Sequence, residues 1–496
     1  MSGRARQLAL CAAVCVSVLM GAPAAAMAGS SGPNAVEVVQ TSADLAQHLT
    51  RLPDLRFRSS RVAGVPVIDV NDGERFQPVG GFGAGMTDTS AWLIEREIPA
   101  ATRDALMHEL FGAGGIRLNF LRVPMGASDF TQNGTPYTYD DVPPGQSDPR
   151  LARFSIEHDE AYILPALRQA LAINPQTTIL ANPWTPPAWM KGNQSLDNVD
   201  DSGTLRPSAY RPWANYFVKF IQAYARQRVP IAAITPANEP TNPTAYPGLN
   251  LSARSEADWI VRDLQPALRK AGLHPKIYGD DFGWSPRAAA YARTIVSGRA
   301  ASALTGIAWH CYFGSPYVIN AVRRLAPRLD QIVDECSPGI TPIPTSEVVI
   351  ATMRNWASTV ALWNLALDLR GGPVQAPNTG CALCVGLVTV DEQTGAVSAN
   401  ENYFQLGQAS AFVQQGARRI ASPHFVSYVY RRQGVNFVSP GLDDVAFRNP
   451  DGSVVLIAYD NAVAPVTFGV RWHRLWFHYT LPPAATVTFV WGRART

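Results

Sequence analysis

Ile231-Ala232-Ala233-Ile234-Thr235-Pro236-Ala237-Asn238-Glu239-Pro240 carries the reading of the fold. Its first four residues are a short apolar run, the pattern of a strand buried on both faces, as in a parallel sheet. The run then closes on an amide and a carboxylate and is stopped by proline. A charge at the end of a buried strand costs free energy unless it is paired or used in chemistry. A second run of the same form, Gln331-Ile332-Val333-Asp334-Glu335, also closes on a carboxylate.

Working outward, short apolar runs at 78–84, 117–123, 178–182, 231–235, 275–279, 306–312, 331–333 and 359–365 read as strands. Helical patterns separate several of them. Trp213, Phe217, Phe220, Ile221 and Tyr224 recur on one helical face, with Lys219, Gln222 and Arg226 largely elsewhere. Eight strands alternating with helices predict an α/β fold, a parallel (β/α)8 barrel. From about residue 425 the texture becomes β-rich. Runs at 445–447 and 454–459 flank the hairpin signal Asn449-Pro450-Asp451-Gly452, and 466–472 and 486–491 follow. Short β-branched runs at 36–39 and 65–70 are expected to join that unit, so that both chain ends meet in one side β-sandwich. The resulting organisation is a signal segment at 1–28, sandwich strands at 29–75, the barrel at 76–410 and the C-terminal sandwich at 411–496.

The 496 residues are 47% hydrophobic and 16% charged, which suits a large core. Arg4 and Arg6 precede an apolar stretch at 8–20, and Ala26-Met27-Ala28 has the form of a cleavage site. This reads as a secretory signal peptide and places the mature chain outside the cell or in a periplasm, with no integral membrane span after cleavage. Cleavage removes those two arginines and no acid, taking the formal charge from +3 to +1. A near-neutral chain shows no charge-driven nucleic-acid partner. Cys311, Cys336, Cys381 and Cys384 remain. Cys381-Ala382-Leu383-Cys384 reads as a local disulfide or two free thiols rather than a zinc site, because no second ligand pair has matching spacing. Spacing does not settle the pairing.

In a (β/α)8 barrel the reacting groups lie at the C-terminal ends of strands. Asp88, Arg122, Trp184, Asn238, Glu239, His310, Tyr312, Glu335, Trp363 and Asn364 all fall at such positions. Carboxylates and amides bind hydroxyls, and aromatic faces cover the apolar side of a sugar ring. Glu239 and Glu335 could form the pair of carboxyls that glycoside cleavage requires, one protonated and one ionised. Asn238 could hold a sugar 2-hydroxyl, and His310 and Tyr312 could orient the carboxylates. Plainer readings exist: Glu239 as a helix cap or ion-pair partner, Asp88 as a helix N-cap, Trp184 and Trp363 as core, His310 as a structural histidine, Arg122 as a neutraliser of buried acid. The glycine-rich 80–85 segment fails the dinucleotide spacing, since Met86 follows Gly85. No cofactor and no metal is expected.

The ordered set Gly81-Phe82-Gly83-Ala84-Gly85-Met86-Thr87-Asp88, Leu121-Arg122-Val123-Pro124-Met125, Asn182-Pro183-Trp184-Thr185-Pro186, Thr235-Pro236-Ala237-Asn238-Glu239-Pro240, Trp309-His310-Cys311-Tyr312, Asp334-Glu335-Cys336 and Trp363-Asn364-Leu365-Ala366-Leu367 resembles glycoside hydrolase family 30, the family of the glucosylceramidases. The resemblance implies a retaining double displacement, with Glu239 as acid/base and Glu335 as nucleophile. It implies that Asp88, Trp184, Asn238 and Trp363 hold the glycone, that His310 and Tyr312 support the carboxylates, and that Asn378, on a less similar loop, also binds substrate. Three departures stand out: Ala84-Gly85 in the first motif, Cys336 directly after Glu335, and Cys311 where an aromatic is common. Cys311 and Cys336 follow residues on neighbouring strands and could meet under the site. The expected substrate is a β-glucoside, glycolipid or glycan, cleaved as a glucosylceramidase would. The alternatives are an endo-acting β-1,6-glucanase or xylanase of the same family and, in another class, a non-catalytic carbohydrate-binding protein.

Overall fold

The computed structural model describes residues 34–492 apart from 62, 341–342, 375–380, 382, 423–427, 430–436 and 439–440. The segment read as a signal peptide and Asn378 lie outside the described residues. Eight parallel strands close a barrel in chain order: β1 (Gly81–Gly85), β2 (Phe120–Pro124), β3 (Thr178–Asn182), β4 (Ala233–Ile234), β5 (Lys276–Phe282), β6 (Gly306–His310), β7 (Asp330–Glu335) and β8 (Thr359–Leu362). All eight coincide with the runs expected from sequence, shifted by a few residues at their ends. The first begins at Gly81 rather than residue 78 because the preceding residues end a long sandwich strand, Val67–Pro78. Glycine is needed inside β1. A Cβ on Gly83 would lie 1.7 Å from the Phe120 carbonyl oxygen, and one on Gly85 would lie 2.4 Å from the Trp363 ring.

The barrel interior is layered. Phe120, Leu180, Ala233, Tyr278, Ala308, Ile332 and Ala361, one from each of seven strands, form a single apolar cluster. Side chains two residues apart on a strand share a face. The next inward positions are therefore Arg122, Asn182, Thr235, Asp280, His310, Asp334 and Trp363, so polar groups lie directly above an apolar plug. The helix Tyr210–Arg226 packs outside the barrel, burying the predicted face of Trp213, Phe217, Phe220, Ile221 and Tyr224.

The chain ends meet as expected. A nine-stranded sheet runs in the order Thr50–Arg56, Ala35–Thr41, Thr486–Trp491, Val454–Asp460, Leu442–Arg448, Arg418–Ala421, Val67–Pro78, Val466–Trp472, Leu475–Leu481, and it folds around its own apolar core. The Asn449–Gly452 segment makes the predicted hairpin, with Arg448 opposite Val454. Three strands of this sheet were not legible in sequence: the short inner strand Arg418–Ala421, and Thr50–Arg56 and Leu475–Leu481. The last two are edge strands, where one side needs no partner and the pattern is weakest; Thr50–Arg56 tolerates Pro53 for that reason.

Barrel and sandwich join through helices Thr345–Arg354 and Glu401–Ser410. Ser346 and Thr486 hydroxyls meet at 2.6 Å, and the Thr488 hydroxyl donates to Gln408 Oε1 at 2.6 Å. Glu347 is buried in this junction, and neither carboxyl oxygen has a partner among the described residues. Burial, then the charge of Asp443, pushes it up to about 8. The folded state therefore keeps a proton that the unfolded chain gives up, and stability falls as pH climbs from about 4.5 towards 8. Glu347→Gln removes that dependence. Its melting temperature relative to wild type should rise from pH 5 to pH 9 in thermal scans; parallel curves would refute the assignment.

Candidate active site

The site is organised around Arg122, which is fully buried at the end of β2. Its Nε donates to Asp334 at 3.1 Å, Nη1 to Glu335 at 2.5 Å, and Nη2 to Asn238 Oδ1 at 2.7 Å and Asp281 at 3.1 Å. One guanidinium thus ties together the exits of β4, β5 and β7. Opposite it sits His310, also fully buried. Its Nδ1 lies 3.0 Å from Glu239 and 3.4 Å from Glu335, and its Nε2 lies 2.8 Å from Asp281. Asp281 also accepts from Asn182 at 3.2 Å and from the Thr235 hydroxyl at 2.5 Å.

Two bulges build this cluster. On either side of β6 the parallel register skips a residue: between Asp280 and Phe282 on β5, and between Val333 and Glu335 on β7. The extra residues are Asp281 and Asp334. On β7, strict alternation would bring only Asp334 inward. The bulge brings Glu335 onto the same face, and both reach Arg122. On β5, Asp280 and Asp281 take φ of 76° and 56°, left-handed values that non-glycine residues avoid. Glu256 braces this bulge from outside, accepting from the Asp280 N–H at 3.1 Å and the Tyr291 hydroxyl at 2.7 Å. Glu239, with φ of 40°, is held through its N–H on the Asp281 carbonyl at 3.0 Å and its carboxylate on Asn242 at 2.6 Å.

The electrostatics follow from burial against pairing. Burial opposes ionisation of Asp281, but Arg122 and His310 outweigh it and hold the carboxyl well below the usual range. Burial and the Asp281 charge push Asp334 well up, so it keeps its proton. Burial also raises Glu335, with Glu239 adding to it, while His310 and Arg122 pull it back. Burial works against a charged His310, yet Glu335, Asp281 and Glu239 hold it well above the ordinary imidazole value. Carboxylate oxygens of Glu239 and Glu335 and a His310 nitrogen all lie within 4.8 Å of one another, as do those of Asp281, His310 and Asp334. Either trio has ligand atoms for a metal ion, but the Arg122 guanidinium already supplies the positive charge there.

Aromatic rings wall the cluster. Trp184 and Trp363 stack at 5.1 Å, the guanidinium carbon of Arg122 lies 4.8 and 5.3 Å from their centroids, and Phe130 meets Trp363 edge-on at 6.0 Å. Tyr312 sits edge-on to His310 at 5.8 Å; burial, then the charges of Glu335 and Glu239, keep its hydroxyl protonated. The structure therefore brings together Arg122, Trp184, Asn238, Glu239, His310, Tyr312, Glu335 and Trp363. Asp88 differs. The helix cap is Thr87, not Asp88, and Asp88 instead accepts from the Gln132 N–H, Tyr137, Tyr162 and His158, the last at 2.6 Å. Its short helix is tied to the β8 exit by Ser90 on the Ala366 carbonyl at 2.8 Å.

Sequence reading passed over Asp281, Asp334, Asn242 and Asp129. The first two had a signal, since each belongs to an acidic doublet closing a strand. Asp129 had none. It is buried five residues past β2, one carboxyl oxygen has no partner among the described residues, and burial, then Glu335 and, less strongly, Glu239, pushes it up to about 8. The cysteines pair as Cys311–Cys336 and Cys381–Cys384.

A barrel whose strand ends present two facing carboxyls, a charged histidine–arginine core and stacked tryptophans is a glycoside hydrolase. The family models agree with that geometry. Residues 79–328 match the glycosyl hydrolase family 30 TIM-barrel domain and residues 416–489 its beta sandwich domain, and the chain belongs to that family. It is 32% identical to an endo-1,6-beta-D-glucanase of Neurospora crassa over 79% of this chain and 81% of that one. It is 31% identical to the lysosomal acid glucosylceramidase of Mus musculus over 85% and 82%. A solved endo-beta1,6-glucanase superposes with a TM-score of 0.80 at 28% identity, covering 92% of this chain and all 100% of that one.

Arg122 makes four charge-assisted contacts that an ammonium cannot reproduce. Arg122→Lys should lower kcat/KM by about 10²-fold or more through misplacement of Glu335. Arg122→Gln should in addition destabilise the fold by about 3–5 kcal/mol, because buried acids lose their counter-charge. Steady-state kinetics with thermal melts check both.

Proposed function

We propose that the protein is a retaining, endo-acting β-1,6-glucanase, with Glu335 as nucleophile and Glu239 as acid/base. The carboxylate spacing supports retention. Oxygens within 4.8 Å leave no room for the water that an inverting pair holds across roughly 6.5–9.5 Å. Arg122 and His310 contact Glu335 and offset part of the burial that raises it, which favours the attacking carboxylate form. Glu239 is the more exposed of the two, on the rim where a leaving oxygen would depart. In the first step Glu335 attacks the anomeric carbon while Glu239 protonates the departing oxygen; in the second, Glu239 deprotonates the water that releases the sugar. The family resemblance gives the glycone to Trp184, Asn238, Trp363 and Asp88; the first three adjoin Arg122, while Asp88 is engaged by Gln132, Tyr137, Tyr162 and His158.

The observation that carries the substrate class is that endo-1,6-glucanases match this chain in sequence, over 79% of it, and in structure, over 92% of it. Two disulfides suit an extracellular or periplasmic setting, where such a polymer is met. A second reading, glucosylceramide hydrolysis, has its own support. It rests on the mouse relative and on Leu369, Leu383 and Val385, apolar side chains left exposed beyond β8, where a lipid aglycone could lie.

Rates on linear β-1,6-glucan, glucosylceramide in detergent and glucuronoxylan separate the readings. The proposal expects oligosaccharides of mixed length from the glucan and little turnover of the other two; glucose alone, or faster lipid cleavage, overturns it. Proton NMR of early product should show the β-anomer. Glu335→Gly should abolish turnover of an activated β-glucoside, with azide restoring part of it as the α-glucosyl azide. Normal activity in that variant would remove Glu335 as nucleophile.

A further inference from the structure

We propose that the Cys311–Cys336 disulfide is a positioning element of the catalytic pair, fixing His310 against Glu335 across the β7 bulge; this rests on the assignment of Glu335 as nucleophile. Strands β6 and β7 run in regular register from Asp330 opposite Gly306 to Val333 opposite Trp309, then skip to Glu335 opposite His310. A bulge weakens the ladder and lets the bulged strand twist. It falls here directly before the residue whose carboxylate must sit within about 0.5 Å of its working position.

The disulfide starts one residue beyond each functional side chain, with the Cys311 and Cys336 Cα atoms 5.0 Å apart. The Cys311 N–H donates to the Glu335 carbonyl at 3.1 Å, and the Trp363 N–H donates to the Cys336 carbonyl at 2.8 Å. Backbone atoms of the histidine strand, the nucleophile strand and the aromatic wall are thereby joined in one line across β6, β7 and β8.

Alternation along the strands places these cysteines on the face opposite His310 and Glu335. Both are fully buried and belong to the large apolar cluster that also contains Trp309, Val333 and Leu365. The sulfurs therefore touch no substrate and act through the backbone alone. What they control is the pair of contacts from His310 Nδ1, 3.0 Å to Glu239 and 3.4 Å to Glu335. Four paired positions below the bulge already hold β6 and β7 together, so the bond adds precision where the ladder lapses rather than creating the sheet.

The test uses the full chain carrying Cys311→Ala with Cys336→Ala, and a second version, Cys311→Val with Cys336→Ala, that restores packing volume. Both are assayed well below their melting temperatures, with folding checked by circular dichroism. We expect kcat to fall by at least about tenfold in both versions, given that a 1 Å error can cost about 10²-fold. KM should stay within about twofold, and the limbs of the kcat/KM–pH profile should shift as the His310 contacts loosen. A lower melting temperature with kcat and pH profile unchanged overturns the proposal, as does failure of both versions to fold. Glu335→Gly run alongside separates the two claims. If it stays active the nucleophile assignment fails; if it is inactive, the cysteine result judges the disulfide alone.

Discussion

One buried guanidinium is the constraint on which the rest of the site depends. Arg122 is fully buried, and Asp281, Asp334, Glu335 and Asn238 converge on it. A charge in that setting is tolerable only when it is hydrogen-bonded and paired. Four carboxyls face two cations there, counting Glu239 and His310. Burial and the Asp281 charge keep a proton on Asp334, while Arg122 and His310 hold Asp281 ionised, which reduces the excess of negative charge. The same low-dielectric surroundings strengthen every contact made to the reacting atoms.

The geometry that delivers these groups is irregular by necessity. A regular barrel strand offers one inward side chain every second residue, so its rim can present only one layer of functional groups. The bulge at Asp334 turns consecutive acids to Arg122, the bulge at Asp281 brings that acid to it as well, and the left-handed backbone at Glu239, Asp280 and Asp281 stores strain next to the site. The surroundings hold that strain in place. Glu256 and Tyr291 brace β5 from outside, the disulfide follows β7, and the apolar plug beneath leaves no space for the polar layer to sink.

Much of this was legible in the chain. Buried parallel strands announce themselves as short apolar runs, and carboxylates at their ends stand out because charge is rare there; Glu239 and Glu335 were found that way. Arg122, His310 and Trp363 stood at strand ends too, although their plainer readings were equally consistent with the residues alone. Arg122 proved to be both a neutraliser of buried acid and a direct partner of Glu335. Asp129 and Asn242 were not legible, since they lie on loops whose paths no periodicity reveals. The edge strands Thr50–Arg56 and Leu475–Leu481 escaped because an edge imposes a weaker pattern than a buried position.

Sequence by itself determined the barrel, its appended sandwich and the identity of the two facing glutamates, because burial and alternation are local properties of a chain. Tertiary structure alone decided how those residues are joined. The register skip on β7 brings Glu335 to Arg122 beside Asp334. The closure of the barrel brings Arg122 from β2 to the exits of β4, β5 and β7. The pairing of Cys311 with Cys336 emerges only when β6 and β7 lie side by side. These are relations between positions far apart in the chain, and each depends on the packing of the whole barrel, which no local pattern encodes.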